Sequence, residues 1–178
     1  MQHAAALHAV APFVDAPPST RSVLFTDVVA STRLIDTHGE RVWLAHVDQH
    51  ADRVATVARR HAGDVSSFLG DGFMVVFDDP VDAISAGIEL QLESTHEGLL
   101  GIRVGIDHGD VHTFRDGWWV GRTIHLSSRI TDLCERGQVA VSERCYEPAR
   151  KHLALPRSRS RLVAIRGLDE PCLVHVFG

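Results

Sequence analysis

The fold is decided by a stretch that reads SVLFTDVVAST, from Ser22 to Thr32. Its first part, Ser22 to Val28, is a short apolar run typical of a buried β-strand. Ala30-Ser31-Thr32 comes next, and serine and threonine are common where a helix begins. We therefore predict a strand, a tight turn and a helix, with the Asp27 carboxylate at the carboxyl end of the strand.

A long amphipathic helix and a hairpin are predicted further along the chain. Apolar residues recur at helical spacing from Glu40 to His61. Two β-like runs, Val65–Leu69 and Phe73–Phe77, are then separated only by Gly70-Asp71-Gly72. A connection this short and rich in glycine predicts a β-hairpin, so Asp71 is expected at its tip.

The second half of the chain continues to alternate strands and helices. We expect a helix over Pro80–Glu97, a hairpin of Gly101–Asp107 and Asp110–Phe114, a turn at Asp116-Gly117 into Trp118–Val120, a helix over Arg122–Arg136, a strand over Val139–Ser142, a helix over Glu143–Lys151, and strands near Arg161–Ile165 and Cys172–Phe177. This order predicts an α+β fold, a ferredoxin-like antiparallel sheet with helices on one face.

Length and composition indicate one domain in a reducing compartment. The chain has 178 residues, of which 44% are hydrophobic, enough for a single core. We expect a loose leader over residues 1–19 and the folded domain over residues 20–178. Cys134, Cys145 and Cys172 lack metal-binding spacing and follow no secretory signal, so we expect free thiols and a cytoplasmic location.

Charge and hydropathy exclude two classes of partner. The net charge of −5 gives no general attraction to nucleic acid or to anionic lipid. No apolar run reaches membrane-spanning length. We therefore expect no nucleic-acid partner and no membrane partner, and any phosphate site must be local.

Two carboxylates at a strand end and a hairpin tip suit a two-metal phosphoryl-transfer site. Asp27 and Asp71 occupy such positions. A pair of this kind can hold two ions roughly 3.5–4 Å apart, which stabilise the attacking and leaving oxygens. Spacing alone leaves another interpretation open, because aspartate is also a common turn or capping residue.

The residues around these aspartates resemble the class III adenylate and guanylate cyclases. Phe25–Thr32 is similar to the first metal motif of that family, and Gly70–Phe73 is similar to the second. The resemblance continues in family order through Arg103–Val111, the Gly121–Arg129 helix, Gly137–Ser142 and Ile165-Arg166-Gly167. It covers nearly the whole chain after Thr20.

The resemblance implies how a nucleoside triphosphate would be held by one half of each active site. Asp27, Asp71 and the Val28 carbonyl would bind two divalent ions, Mg²⁺ or Mn²⁺. The terminal phosphates would meet backbone amides of the turn formed by Val29, Ala30, Ser31 and Thr32, as anions often meet helix N-termini. Arg166 would approach the same phosphates from the closing strands.

The resemblance also implies a head-to-tail homodimer whose active sites are shared. The partner would supply the helix after Gly121, on which His125 and Arg129 lie four residues apart and share a face. Arg129 stands where the family places an arginine on the phosphates in the transition state. His125 stands where most members carry an asparagine that orients the ribose, and a purely structural role for it stays open.

The base-reading positions depart from the family pattern. A lysine and an aspartate or threonine usually read the purine, and those positions hold Ser67 and Trp118 here. An uncertain register before Gly121 leaves Asp116 as an alternative for the second position. Trp118 can stack on a base or pack at the dimer seam, and base specificity is expected to be weak.

Two histidine pairs have a spacing that could also suggest metal ligands. His46 and His50 lie one helical turn apart without a third ligand nearby, and a solvated or packed pair is favoured over zinc. His108 and His112 flank the expected hairpin and have the same interpretation.

The leading hypothesis is an active cyclase that converts a nucleoside triphosphate to the 3′,5′-cyclic nucleotide and pyrophosphate. ATP is the default substrate and GTP is possible. The alternatives are a pyrimidine cyclase of antiviral defence, acting on UTP or CTP, and a degenerate nucleotide-binding or regulatory module without turnover. A diguanylate cyclase or polymerase-like palm lacks its signature motif in this sequence.

Overall fold

A mixed sheet with helices packed against it forms the body of the protein. The computed structural model describes residues 17–96, 101–114, 117–166 and 170–178. The strands in these ranges are β1 (Ser19–Val28), β2 (Asp64–Phe68), β3 (Phe73–Phe77), β4 (Ile102–Phe114), β5 (Trp118–Val120), β6 (Val139–Ser142), β7 (Arg159–Val163) and β8 (Cys172–Phe177). The helices there are α1 (Ser31–His38), α2 (Glu40–Arg60), α3 (Pro80–His96), α4 (Arg122–Thr131) and α5 (Glu143–Ala149).

The strand order confirms the predicted ferredoxin-like core. The strands follow the order β2-β3-β1-β4-β6-β8-β7, and β5 pairs with the far part of β4. All pairings among the first four strands are antiparallel. The β4–β6 pairing is parallel, so the complete sheet is mixed. The α+β fold prediction is correct, and β1 lies inside the sheet between β3 and β4.

Helices cover both faces of the sheet, so the prediction of helices on one face is wrong. Successive residues of a strand point to opposite faces. Leu24 and Val28 of β1 pack with α2, α3 and α5 in the largest core cluster. Val23 and Phe25 instead belong to a cluster that includes Ile124 of α4. The opposite face is therefore covered by α4, whose polar surface carries His125 and Arg129.

The hairpin predicted around His108-Gly109 is also wrong, because β4 continues through it. The β1–β4 register runs without a break from Ser19 opposite Val111 to Val28 opposite Ile102. Gly109 does not form a turn. It allows α4 to pack closely against β4, since a Cβ atom at this position would lie 2.9 Å from Thr123 Oγ1 of α4.

Several element ends differ from the prediction by a few residues. Helix α4 ends at Thr131 rather than at Arg136, because the chain turns there and the Gly137 N–H donates to the Ile102 carbonyl at 3.0 Å. Helix α5 ends at Ala149 rather than at Lys151. Residues 1–16, most of the expected leader, lie outside the described ranges, so that boundary stays a prediction.

The three cysteines are free thiols, as predicted. Cys134 and Cys145 are buried and Cys172 is partly buried. Among the described helices, none combines the length and apolar character that crossing a membrane requires.

Candidate active site

The centre of the site is a cross-strand ion pair between Asp27 and Arg103. The two residues lie opposite each other in the β1–β4 ladder. Arg103 Nε and Nη2 lie 2.6 Å and 2.5 Å from Asp27 Oδ2, and both side chains are partly exposed. Arg103 cannot be identified as a site residue from the sequence, because its partner is set by a strand register that the sequence does not show.

The hairpin places Asp71 beside Asp27. Gly72 makes this possible, because a Cβ atom there would lie 2.3 Å from the Thr26 carbonyl oxygen. Burial raises the pKa of Asp27 above its usual range against the opposing effect of Arg103, and the neighbouring Asp71 carboxylate raises it further. The two predicted metal aspartates are therefore brought together, although they are 44 positions apart in the chain.

A small cleft opens next to Asp27 on the α4 side of the sheet. It has a volume of about 150 Å³, and its lining includes Arg103, Ser128 and Asp132. Arg103 Nη2 also lies 3.4 Å from Asp132 Oδ1. Pockets for small-molecule ligands usually measure about 300–1,000 Å³, so this cleft is too small for a whole nucleotide.

The turn after β1 presents backbone amides at the start of α1. Ala30 adopts a left-handed conformation with φ of 62°, which is uncommon for a residue other than glycine. Val29 is fixed because its N–H donates to the Gly101 carbonyl at 3.0 Å. The first amides of a helix have no partner within the helix, so Ser31 and Thr32 can present theirs to an anion.

His125 and Arg129 lie on the exposed face of α4, as their spacing predicts. The Arg129 side chain is 56% exposed, and its Nη1 lies 3.7 Å from Asp132 Oδ2. An exposed pair at this distance is a weak interaction. Arg129 is therefore free to reorient, and its predicted role and that of His125 stay predictions.

The remaining predicted residues lie on separate elements. Ser67 is half-buried on β2 beside a bulge between Val65 and Ser67. Trp118 on β5 is 70% exposed. Arg166 is exposed after the end of β7. Asp116, the alternative base-reading residue, and Gly167 of the closing motif lie outside the described residues.

A buried histidine with no predicted role in the site lies beneath the aspartates. His50 of α2 is hydrogen-bonded through Nε2 to Thr26 Oγ1 at 3.0 Å. Burial lowers the pKa of His50 to about 4, with Arg53 acting in the same direction, so the ring is neutral near pH 7.

His46 and His50 lie one helical turn apart on α2. Within the described ranges, no group of three or more His, Cys, Asp or Glu side chains is arranged to hold a metal ion, at this pair or elsewhere.

The protein oxygen atoms gathered here suit a small divalent ion that is coordinated partly by the protein and partly by the phosphates of a substrate. Asp27 and Asp71 supply adjacent carboxylates, and Asp27 already holds a positive group, the Arg103 guanidinium. Mg²⁺ usually binds one or two carboxylates together with waters and substrate phosphates, rather than an all-protein cage. Two carboxylates and the Val28 carbonyl at the end of β1 meet that pattern.

Comparisons with known proteins agree with this fold. The family described as the adenylate and guanylate cyclase catalytic domain matches residues 16–170. The Mycobacterium tuberculosis H37Rv protein Rv0891c is 32% identical over 130 residues, which are 71% of this chain and 44% of that protein. The pH-sensitive adenylate cyclase MT1302 of M. tuberculosis CDC 1551 is 28% identical over 130 residues, 71% of this chain and 32% of that protein.

A solved structure shows the same architecture. The adenylyl cyclase CyaB of P. aeruginosa superposes with a TM-score of 0.79 at 22% identity, covering 91% of this chain and 95% of that one. The chain belongs to the class III adenylate/guanylate cyclase catalytic domain family. It spans less than half the length of the two curated relatives described above.

Proposed function

We propose that this domain is a metal-dependent nucleotide cyclase, a phosphorus–oxygen lyase that acts in the cytoplasm. It converts a nucleoside triphosphate to the 3′,5′-cyclic nucleotide and pyrophosphate. The observation that carries the proposal is the pair of adjacent carboxylates, Asp27 and Asp71, beside a turn that presents backbone amides. ATP is the default substrate, supported by the adenylate cyclases among the relatives, and GTP is possible.

Different groups of the chain would bind the metal ions and the terminal phosphates of the triphosphate. Asp27, Asp71 and the Val28 carbonyl would hold two Mg²⁺ or Mn²⁺ ions, which supply charge stabilisation at the attacking and leaving oxygens. The amides of Ala30, Ser31 and Thr32 would bind terminal phosphate oxygens by hydrogen bonds. The Val29 N–H, predicted to join them, already donates to the Gly101 carbonyl. Arg166, exposed beyond β7, would add a charge-assisted contact to the same phosphates.

We propose that two chains form a head-to-tail homodimer and share each site. The cleft beside Asp27 is too small for a nucleotide, and His125 and Arg129 face outward on α4. In the dimer, Arg129 of one protomer would offset negative charge on the phosphates bound by its partner as pyrophosphate leaves. His125 would hydrogen-bond the ribose and orient the 3′-hydroxyl toward the α-phosphorus.

The test is a cyclisation assay on the full chain with Mn²⁺ and each of the four ribonucleoside triphosphates. Mass spectrometry of the products should show a cyclic nucleotide and pyrophosphate in equal amounts. Formation of cyclic UMP or cyclic CMP in preference to the purine products would favour the pyrimidine alternative. No product from any of the four, with bound nucleotide demonstrated, would contradict catalysis and favour a binding module.

Base discrimination should be modest, because Ser67 and Trp118 replace directional base-reading groups. Sites that read polar groups reach about 10⁴-fold discrimination or more, whereas shape and stacking give about 10²-fold. The highly exposed Trp118 ring is available to stack on a base. A preference above about 10⁴-fold for one triphosphate would contradict this expectation.

Trp118→Ala tests the stacking role directly. We expect the KM of every accepted nucleotide to rise by a similar factor of about 5–150, because stacking contributes about 1–3 kcal/mol and does not distinguish base edges. Trp118→Phe keeps an aromatic face and should retain most of the affinity. If Trp118 instead packs at the dimer seam, sedimentation of Trp118→Ala will show weaker dimerisation without a uniform change in KM.

A further inference from the structure

The Thr26 hydroxyl group lies at the junction of three elements. It accepts a hydrogen bond from the Phe73 N–H of β3 at 3.2 Å, and it is hydrogen-bonded to His50 Nε2 of α2 at 3.0 Å. The His50 ring also meets the Phe73 ring edge-on, with centroids 5.3 Å apart. A single hydroxyl group thereby connects β1, the β2–β3 hairpin and α2.

Both ends of this connection are next to the metal aspartates. Thr26 directly precedes Asp27 in β1, and Phe73 follows Asp71 by two residues. Thr26 and Phe73 are also paired in the β1–β3 ladder, where that ladder ends. Any shift of the hairpin along or away from β1 would move the two carboxylates apart, and the Thr26 hydroxyl lies where it can resist that shift.

Stability alone does not explain an imidazole at this position. The His50 side chain is only 4% exposed, and its Nδ1 atom has no hydrogen-bond partner among the described residues. A buried polar atom without a partner costs about 1–3 kcal/mol, and an apolar ring of similar size would avoid that cost. The feature that an apolar ring cannot reproduce is the hydrogen bond to Thr26.

We infer that His50 is a positioning residue for the metal pair: through the Thr26 hydroxyl it holds β1 and the β2–β3 hairpin in the register that keeps Asp27 and Asp71 side by side. The inference deepens the proposed function and rests on it for the identity of the ligands. It predicts that His50 affects ion affinity without touching the ion or the nucleotide. Groups hydrogen-bonded directly to a metal ligand typically change metal affinity by about 10–100-fold when replaced. We use that range for His50, which acts one residue away from Asp27 through Thr26.

The experiment measures Mn²⁺ binding to the full chain by electron paramagnetic resonance, with and without 3′-deoxy-ATP, which lacks the reacting hydroxyl. For His50→Phe we expect the Mn²⁺ dissociation constant to rise about 10–100-fold. His50→Gln, whose amide can restore a hydrogen bond to Thr26, should stay within about threefold of wild type. The matched control is His46→Phe, one turn earlier on α2, which should leave the affinity unchanged.

A second pair of variants covers the case in which His50→Phe fails to fold. Thr26→Ser keeps the hydroxyl group and Thr26→Val removes it at nearly the same volume. Weaker Mn²⁺ binding in Thr26→Val alone, with thermal unfolding temperatures of the two variants close together, supports the inference. Equal binding in both overturns it.

Kinetics separate this inference from the proposed function. In an active enzyme, His50→Phe should raise the Mn²⁺ concentration needed for half-maximal rate and leave the nucleotide KM at saturating Mn²⁺ nearly unchanged. If the wild type binds Mn²⁺ but makes no cyclic nucleotide, the proposed function fails, and a loss of affinity in His50→Phe still supports positioning. A wild type that binds no Mn²⁺ overturns both, and a His50→Phe variant with wild-type Mn²⁺ affinity overturns the inference alone.

Discussion

Replacing Asp71 or Asp27 by asparagine is expected to lower the turnover number by at least about 10³-fold. In the proposed site each substitution removes a charged metal ligand while keeping the side-chain size, and bound ions would contribute several kcal/mol of transition-state stabilisation. A loss of about 1.4 kcal/mol already lowers the rate tenfold. The measurement is the initial rate with the preferred triphosphate over a range of Mn²⁺ concentrations.

Asp78→Asn is the matched control for this prediction. Asp78 is a highly exposed carboxylate that pairs with Arg21 at 3.1 Å, so its loss should leave turnover at the wild-type level. Circular dichroism and sedimentation should show that all three variants keep fold and assembly. Metal-dependent turnover above about one per cent of wild type in Asp71→Asn would contradict the assignment, because that loss is under 3 kcal/mol.

Mixing two inactive variants is expected to restore activity if each site is shared across a dimer. In a mixed dimer of Asp71→Asn with Arg129→Ala, one site contains both damaged halves and the other contains two intact halves. Random exchange makes about half of the dimers mixed, so the mixture should reach about a quarter of wild-type activity. The rate is measured after subunit exchange has been demonstrated by native mass spectrometry.

The control mixture combines Asp71→Asn with Asp27→Asn. Both changes damage the same half of the site, so no mixed dimer contains an intact site and no recovery is expected. Arg129 also contacts Asp132 at the edge of its own chain's Asp27 cleft. If Arg129 acts within its own chain, the Asp71→Asn and Arg129→Ala mixture will stay inactive as well, which would overturn the shared-site geometry.

Local patterns in the sequence were sufficient for most elements of the fold. The spacing around Gly70-Asp71-Gly72 identified the hairpin, because a three-residue connection between apolar runs has few other solutions. Strands Phe73–Phe77, Val139–Ser142 and Cys172–Phe177 have the predicted bounds. The position of Asp27 at a strand end followed from the apolar run before it.

Features that depend on partners distant in the chain were not predictable in this way. His108-Gly109 looks like a turn locally, but pairing with β1 and the close approach of α4 favour a continuous strand. Arg103 enters the site through the β1–β4 register, and His50 enters through the packing of α2 under the hairpin. Both contacts require the assembled sheet, so sequence periodicity carries no signal for them.

The pairing of Asp27 with Arg103 has a consequence for biosynthesis. The two residues are 76 positions apart, and β1 is a central strand that needs β3 and β4 on either side. At ribosomal rates, about 4–15 s pass between the synthesis of one partner and the other. Until β4 has been made, β1 lacks one of its two strand partners even after β3 has emerged, so the nascent chain exposes an aggregation-prone strand edge that chaperones can bind.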